Sequence, residues 1–515
     1  MKWPAIPAAR VRRIGLAVGS AATVAAVVAG IAAPAGFFAA WLFAWLCVLA
    51  IALGALANVM IHELTGGEWG FVIRPALESA LGTLPIVGLL GIPLLFGLPH
   101  LYPWAAAHPG DALLAAKSWY LNTPFFTLRA IACFIVWSAL AFALRRQWRL
   151  RRTNAAGAPQ PDLRALSIAG LIVYALTMTL AATDWIMSLS RDWYSTGFGL
   201  FVLISQALVA FAFAVAASVA SGALAGAPST HARIPADAMS EAPSVARDAQ
   251  DLGNILLMYV MMWAYLAFTQ FLIIWAEDLP SEIGWYVMRS TRGWKALAIV
   301  IFLLLFVLPF AAMLFRRFKR DPARLGVLCA IVVVGCVLQF AWQVLPPFAA
   351  EPMGFALLAL AGVGGLWAAA FATLHAKSVP FARAGTRRSS MAERPAAAMQ
   401  HEPNAVDARR ICVAAGGLVG VIALCIVASL LLVPAYAHVY KRAPARAAQA
   451  LPATRGVPLQ PDPEADLAHF RAEKQALLEG YAWVDRPQGI ARIPIEDAMR
   501  IIAQHNGNGS SGGAR

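Results

Sequence analysis

Eleven long apolar stretches constrain this chain more than any other feature of its sequence. A transmembrane helix needs about 20 consecutive apolar residues, and each stretch is close to that length. Strands of a membrane β-barrel are shorter and alternate in polarity, so the stretches predict α-helices, whose backbone polar groups are bonded internally. The predicted spans are Ile14–Ala33, Phe37–Met60, Ser79–Leu98, Phe125–Leu144, Leu166–Ile186, Phe198–Ala220, Leu252–Trp275, Ala296–Phe315, Leu325–Val344, Phe355–Leu374 and Ile411–Val433.

The distribution of charge agrees with a membrane protein. Only 13% of the residues are charged, against about 25% in soluble domains. A net charge of +14 would suit a nucleic-acid partner, but the basic residues cluster in alternate loops, as the positive-inside rule requires. We therefore predict a cytoplasmic N-terminus, a periplasmic C-terminal tail and no nucleic-acid partner. The clusters are Arg10, Arg12 and Arg13; Arg145, Arg146, Arg149, Arg151 and Arg152; Arg316, Arg317, Lys319 and Arg320; and Arg383, Arg387 and Arg388.

The spans and the segments between them predict five regions. Residues 1–13 form the cytoplasmic N-terminus, and residues 14–378 form a membrane domain of ten helices, interrupted by a polar linker at 221–250. Residues 379–409, rich in Arg, Ser, Pro and Ala, form a second cytoplasmic linker. Residues 410–434 form an extra, eleventh transmembrane helix, and residues 435–515 form the periplasmic tail.

The periplasmic tail has two segments with helical periodicity. The residues Asp466–Leu478 have an apolar face, and a second set of apolar residues follows Pro494 at i, i+3, i+4 and i+7, beginning at Ile495. A segment of this size buries little core by itself. We therefore expect short helices that dock on a partner protein.

The sequence lacks the patterns that usually hold a metal or a nucleotide. None of the nine histidines lies near the middle of a span, and there is no CxxCH or cysteine cluster. The chain also lacks a P-loop, and no GxGxxG precedes a suitable helix. The six cysteines lie inside apolar spans, where a small buried apolar role is typical. We therefore predict that this chain binds no metal centre of its own.

Ionisable residues beside the spans are functional candidates because charge is costly in lipid. On the cytoplasmic side, His62, Glu63, Arg74 and Glu78 surround the turn 65–70. Arg74 and Glu78 are four residues apart, so they share one face if their helix begins early. A surface ion pair is the alternative interpretation of this cluster.

A second polar group is predicted on the periplasmic side. Asp184 closes the fifth span and is the residue hardest to explain as a surface group. Its predicted partner is Arg129 or Lys117, either in a structural salt bridge or in a site that binds a quinone head group or passes a proton. The remaining candidates on this side are Asn122, Tyr194, Gln270, Glu282 and Arg289. Uncharged polar residues inside spans, such as Tyr174, Tyr259, Gln339 and Gln343, are expected to bond between helices.

Several of these residues belong to motifs with a recognisable order. The segment Thr183–Leu189, followed by Trp193-Tyr194-Ser195-Thr196, resembles the ActF-type, NrfD-like membrane subunit of alternative complex III, the bacterial quinol:cytochrome c oxidoreductase. The resemblance covers about the first 375 residues. Other matching segments are Leu64–Gly70 with Arg74; Tyr102-Pro103-Trp104; Tyr120-Leu121-Asn122 with Phe125, Phe126 and Arg129; Trp263-Ala264-Tyr265 with Gln270 and Trp275; and Glu282 with Trp285, Arg289 and Trp294.

The resemblance implies two packed four-helix bundles with two flanking helices in the bacterial inner membrane. It implies a subunit of an enzyme complex rather than a stand-alone enzyme, with a role in quinol oxidation or proton transfer. The implied partners are a paralogous NrfD-like subunit, an iron–sulfur subunit, c-type cytochrome subunits and a haem–copper oxidase. These partners carry the haem c and iron–sulfur centres. The last span and the tail depart from the ten-helix pattern, and Gly480–Ile495 resembles a short single-span protein found beside respiratory oxidases.

A secondary transporter of the inverted-repeat type is the alternative function. Such transporters have helices broken by Gly or Pro near the middle of the membrane. Pro85 and Pro93 in the third span, and Pro346 and Pro347 after the ninth, fit that pattern. No acidic residue lies at the centre of a span, however, which disfavours ion coupling.

Overall fold

The computed structural model describes most of the membrane domain and most of the tail. The chain forms two compact units, residues 1–443 and residues 444–515. The described residues are 7–67, 69–106, 112–153, 163–222, 224, 241–277, 279–348, 352–391 and 463–508, with 416, 420, 423, 424 and 427.

The first unit is built from α-helices. Ten of its described helices, or closely joined helix pairs, are long and apolar enough to cross a membrane. They confirm the ten spans predicted within residues 14–378, whereas the predicted eleventh span lies almost wholly outside the described residues. The helices are α1 (Ala8–Gly30), α2 (Pro34–Thr65), α3 (Trp69–Leu81), α4 (Leu84–Phe96), α5 (Leu98–Leu101), α6 (Ala112–Lys117), α7 (Thr123–Thr153), α8 (Arg164–Trp185), α9 (Phe198–Ala220), α10 (Glu241–Glu277), α11 (Pro280–Met288), α12 (Arg292–Phe302), α13 (Leu308–Leu314), α14 (Arg316–Lys319), α15 (Pro322–Val344) and α16 (Pro352–Met391).

The spanning helices of the first unit pack as two rings of four. In one ring α2 contacts α4, α4 contacts α7, α7 contacts α8, and α8 contacts α2. In the other ring α9 contacts α10, α10 contacts α13, α12 contacts α15, and α15 contacts α9; α12 and α13 belong to one span. Helices α2 and α9 join the rings, while α1 and α16 pack together on the outside. The predicted all-α polytopic membrane fold, with two four-helix bundles and flanking helices, is confirmed for the described residues.

Helix α2 lies at the centre of this unit. In its most apolar window, 94% of the residues are buried inside the protein. Gly54 allows close contact with α9, because a Cβ atom there would lie 1.9 Å from the carbonyl oxygen of Gln206. One turn later, Asn58 Nδ2 donates to the carbonyl oxygen of Ala207 at 2.9 Å, and Asn58 Oδ1 accepts from the Tyr259 hydroxyl at 2.8 Å. Through these contacts α2, which belongs to the first bundle, binds α9 and α10 of the second bundle.

The contact between α1 and α16 leads to a testable prediction. A Cβ atom on Gly365 would lie 2.8 Å from the Cα atom of Gly19, whereas a Cβ atom on Gly364 meets nothing within 4 Å. We expect Gly365→Leu to separate the helices and destabilise the protein by about 1–3 kcal/mol, the usual cost of overpacking. Gly364→Leu adds the same side chain and should have little effect. Thermal unfolding in mild detergent compares them, and equal melting temperatures would contradict the packing.

Two spans contain irregularities that the sequence did not predict. The predicted span Ser79–Leu98 is formed by α3 and α4, which are separated at Gly82 and Thr83, and its first helix begins ten residues earlier, at Trp69. The eighth span contains a π-helical turn at Leu303–Val307. Pro309 follows that turn; its missing N–H and its ring disturb regular α-helical bonding, and a π-turn accommodates the disturbance.

Helices extend into both of the predicted polar linkers. Helix α10 begins at Glu241, inside the linker predicted at 221–250, and α16 continues to Met391, inside the linker predicted at 379–409. Part of each predicted linker is therefore helical. The physical reason is that Ala, Arg and Glu are favourable helix formers even where no apolar face is present.

The second unit contains two helices and a small hairpin. Helix α17 (Pro463–Glu479) and helix α18 (Ile495–Asn508) confirm the two helices predicted in the tail. Strands β1 (Ala482–Asp485) and β2 (Ile490–Arg492) between them form an antiparallel pair that was not predicted. Gly489 adopts a φ of 69° in the connecting turn, a conformation that glycine allows at little steric cost.

Candidate functional site

The membrane unit has two ends with different polar groups. The basic clusters of α7 and α14 and the N-terminal Arg residues of α1 lie at one end, which we call the basic end. The ends of α8, α10 and α15 and the starts of α7, α9 and α12 form the opposite end. Each end holds a buried cluster of ionisable residues.

At the opposite end, Arg129 and Asp184 form a buried ion pair. Arg129 is in the second turn of α7, and Asp184 is in the last turn of α8. Arg129 Nε donates to Asp184 Oδ2 at 2.7 Å, and Nη2 donates to Oδ1 at 2.9 Å. The side chains are 9% and 4% exposed. This two-point geometry is the strong form of a guanidinium–carboxylate bond.

Tyr120 contacts the Arg129 side of this ion pair. Its carbonyl oxygen accepts from Arg129 Nη1 at 2.9 Å, and the guanidinium carbon lies 3.9 Å from the centre of its ring. Burial, and then the negative charge of Asp184, raise the pKa of the Tyr120 phenol to about 12. Tyr120 is therefore a neutral hydrogen-bond donor at physiological pH.

A pocket of about 220 Å³ lies against this group. Lys117 and Tyr194, two of the residues singled out from the sequence, line it together with Tyr120. Lys117 is not the partner of Asp184 that one prediction allowed, because its Nζ atom donates to the carbonyl oxygen of Arg191 at 2.9 Å. The other lining residues are Pro103, Trp104, Leu114, Trp119, Leu121, Thr183, Met187, Ser188, Ser190, Arg191 and Trp193.

An aromatic layer separates this pocket from an apolar groove of about 360 Å³. Tyr102 and Phe126 line the groove, while Trp104 lines the pocket. The ring of Trp104 lies 5.2 Å from those of both Tyr102 and Phe126, measured between centroids. The groove also contacts exposed faces of α4 and α7, so its outer side faces lipid.

Arg289 lies behind the pocket without an ion-pair partner among the described residues. Trp193 lines the pocket and stacks on Trp285, whose ring lies 3.6 Å below the Arg289 guanidinium. Arg289 donates to the carbonyl oxygens of Trp342 and Gln343 at 2.9 and 2.8 Å. These carbonyls belong to the last turn of α15, where a cation is favourable. Burial lowers the pKa of Arg289 to about 9, so the guanidinium stays protonated near neutral pH.

The remaining candidates at this end do not enter the pocket. Asn122 is half-buried, and its Oδ1 atom accepts from the amide of Phe125 at 2.9 Å, so it caps the start of α7. Glu282 lies on α11 rather than in a loop, and burial, followed by the charge of Glu277, raises its pKa. Gln270 is half-buried on α10 and has no side-chain bond to a described residue.

The basic end holds a second buried cluster around Arg74. Arg74 Nη1 lies 2.7 Å from Glu63 Oε1, and Nε lies 3.0 Å from Glu78 Oε1. Nη1 also lies 3.1 Å from His62 Nδ1. The indole of Trp148 donates to Glu63 Oε1 at 2.8 Å, and its ring lies directly against the guanidinium. Arg74 is 3% exposed. The predicted shared face of Arg74 and Glu78 is correct, but the cluster is buried and not a surface ion pair.

Uncharged polar side chains connect helices between the two ends. The expected interhelical bonds form at Tyr174, Tyr259 and Gln339. The side-chain amide of Gln343, in contrast, is buried without a hydrogen-bond partner among the described residues. Asn58, Ser205 and Gln206 also take part, although sequence reasoning missed them; Asn58 lies one helical turn from His62, which was a usable signal. The bonds are Tyr259 Oη to Asn58 Oδ1 at 2.8 Å, Tyr174 Oη to Gln206 Oε1 at 2.7 Å, Trp263 Nε1 to Gln339 Oε1 at 2.9 Å and Gln339 Nε2 to Ser205 Oγ at 2.9 Å.

Among the described residues, no group of three or more His, Cys, Asp or Glu side chains is placed to hold a metal ion. The chain instead offers a buried ion pair beside a pocket at one end and a buried ionic cluster at the other. No protein-family profile and no curated protein sequence matches this chain.

Proposed function

We propose that this chain is a membrane subunit of a bacterial quinol:cytochrome c oxidoreductase of the alternative complex III type. It would act within a complex, with the N-terminus in the cytoplasm and the tail in the periplasm. Two lines of argument support the proposal. One is the ordered set of motifs around Thr183–Leu189 and Trp193–Thr196. The other, which carries most weight, is the pocket beside the Arg129–Asp184 pair.

The pocket suits the head group of a quinol. Its volume of about 220 Å³ is below the range of roughly 300–1,000 Å³ that holds a drug-sized ligand, so it matches a single substituted ring. Trp104 and Trp193 offer flat apolar faces, while Lys117, Tyr120 and Tyr194 offer polar groups. Oxidation of a quinol releases electrons and protons together. The electrons would go to haem c or iron–sulfur centres of partner subunits.

Asp184 is the best candidate to accept a proton released by the quinol. It is a buried carboxylate paired with Arg129, whose guanidinium lies against the pocket-lining Tyr120, and it stands in the last turn of α8. The interhelical bonds at Asn58 and Gln206 and the cluster around Arg74 supply further polar groups toward the basic end. We propose that these groups stabilise the bundle and support proton transfer through it.

The tail supports a role inside a complex. The apolar face of α18 includes Ile495, Met499 and Ile502, which are 46%, 65% and 59% exposed. Trp483 on β1 is 57% exposed. Exposed aromatic and aliphatic side chains on so small a unit are typical of an interface. A periplasmic cytochrome or oxidase subunit is the proposed partner.

The function is tested by isolating the tagged full-length chain from its native membrane. We expect it to co-purify with subunits that contain haem c and iron–sulfur, and the preparation should reduce cytochrome c with quinol. Visible spectroscopy and a quinol:cytochrome c assay measure both properties. A chain that is isolated alone, with neither chromophore nor activity, would overturn the proposal.

A matched pair of variants tests the pocket in the same preparation. Ser190 lines the pocket, whereas Ser290 is exposed at the same end of the bundle. Ser190→Trp fills the pocket and should lower quinol oxidation at least about tenfold, because a loss of roughly 1.4 kcal/mol of binding already gives that factor. Ser290→Trp should leave activity intact. Equal activity of both variants in assembled complex would exclude this pocket as the quinol site.

A further inference from the structure

A second apolar groove lies at the basic end, on the lipid-facing side of the bundle formed by α9, α10, α12 with α13, and α15. It has a volume of about 420 Å³ and lies between α13 and α15. Leu308 and Ala312 line one wall, Val327 and Ile331 the other, and Phe315 closes it. The chain leaves α13 at Phe315, where the backbone is extended with a φ of −92° and a ψ of 119°. The small side chain of Ala312 and this break leave the space open.

The mouth of this groove is strongly basic. The segment 316–324 contains five cations and one carboxylate, Asp321. Arg324 lines the groove itself and pairs with Asp321, with Nε and Oδ2 3.1 Å apart. The amino group of Lys319 and the guanidinium of Arg320 donate to the Asn254 and Gln250 side chains on α10 at 2.9 and 2.8 Å.

Two cations of this segment remain available for a ligand. Arg316 and Arg317 are exposed, and neither forms an ion pair or side-chain hydrogen bond with a described residue. They lie between Phe315 and Phe318, which both line the groove. Unpaired guanidinium groups therefore stand at the end of an apolar channel that opens to lipid.

We propose that this groove binds an anionic phospholipid, with one acyl chain between α13 and α15 and its phosphate at Arg316, Arg317 and Arg324. The apolar walls match an acyl chain, and a guanidinium matches a phosphate in both charge and geometry. A basic recess between transmembrane helices favours lipid head groups that carry net negative charge. A zwitterionic lipid offers the same chain but no net charge. This inference does not depend on the quinol-related function.

The proposal is tested on the purified full-length protein. Lipid-depleted protein is placed in nanodiscs of phosphatidylcholine alone or of phosphatidylcholine with phosphatidylglycerol, and the lipid retained after mild extraction is measured by native mass spectrometry. We expect phosphatidylglycerol to be retained in preference. Thermal unfolding with inorganic phosphate alone distinguishes a lipid site from a simple anion site, and phosphate should not stabilise the protein.

Variants separate the two parts of the site. Arg316→Gln with Arg317→Gln should lower phosphatidylglycerol retention about 25-fold, since each surface cation contributes roughly a fivefold factor. Arg12→Gln with Arg13→Gln removes the same charge from the same end and should have no such effect. Ala312→Phe fills the groove and should displace the lipid with all cations in place. Replacing Arg316 and Arg317 by Lys should restore most of the retention.

Other results would overturn the proposal. Equal retention of both lipids would mean that the basic residues do not select the head group. Equal losses in the two Gln pairs would show a general charge effect and no site. Stabilisation by inorganic phosphate alone would assign the cations to a soluble anion. Retention that persists in Ala312→Phe would show that the groove does not hold the chain.

Discussion

Asp184→Asn is expected to destabilise the protein by about 3–5 kcal/mol and to reduce the folded protein in the membrane, because it leaves a buried cation without its carboxylate. Among the residues that the structure describes, Arg129 has no second carboxylate partner, and its remaining hydrogen bond goes to the Tyr120 carbonyl oxygen. In complex that still assembles, quinol oxidation should fall as well. The measurements are the yield of monodisperse protein, its unfolding temperature and the turnover of assembled complex.

Asp192→Asn is the matched control, since Asp192 lies in the following loop with a side chain that is 51% exposed. It should behave like the unmodified protein. The double variant Arg129→Gln with Asp184→Asn removes the unpaired charge and should restore much of the stability. If stability and turnover are both restored, the pair is purely structural. If stability returns without turnover, the pair takes part in the reaction.

Arg74→Met is the second substitution with a large expected effect. It leaves Glu63 and Glu78, whose side chains are 7% and 12% exposed, without the cation that joins them. It also removes the group packed on Trp148. We expect a loss of about 3–5 kcal/mol, the usual result of breaking a buried ionic cluster. Detergent-solubilised yield and the unfolding temperature measure it.

Two further substitutions separate charge from geometry at this cluster. Arg74→Lys keeps the charge but replaces a planar fork by a single ammonium group, which cannot reach both carboxylates and His62 as well. It should recover part of the lost stability. Arg13→Met removes an exposed cation at the same end and should cost little. An Arg74→Met protein as stable as Arg13→Met would show that the cluster contributes nothing to the fold.

The membrane helices were predictable because each must be apolar over its whole length. Their internal breaks were not. Gly82 and Thr83 divide the third span, and the turn at Leu303–Val307 changes the backbone bonding of the eighth. Hydropathy distinguishes residues inside the membrane from residues in water. It does not show which carbonyl oxygen each backbone amide bonds to. The hairpin of the tail was missed for a related reason, since strands of three and four residues are too short to show alternation.

The candidate site was only partly predictable. The pairing of Asp184 with a cation was expected because a carboxylate at the edge of lipid requires one. The choice between Arg129 and Lys117 depended on where the short helix α6 ends, which the sequence does not show. Asn122, which was predicted as a site residue, caps the start of α7, and Asn followed by Thr-Pro is a common way to start a helix. Gln206 was missed because a single polar residue within an apolar span carries no pattern, whereas Asn58 was missed although it lies one helical turn from His62.

The position of α2 has a consequence for how the chain is made. This helix is surrounded by protein on nearly all sides, yet it leaves the ribosome before α9, α15 and α16, which pack against it. Asn58 finds its partners in Ala207 and Tyr259, which lie 149 and 201 residues later in the chain. At usual rates of synthesis the interval to Tyr259 is roughly 10–40 s. During that time α2 must rest in lipid, or beside an insertion factor, with its amide bonded only to the Gly54 carbonyl oxygen of its own helix. The most apolar window of α2 has a mean hydropathy of 2.3, so this helix is stable in lipid during that interval.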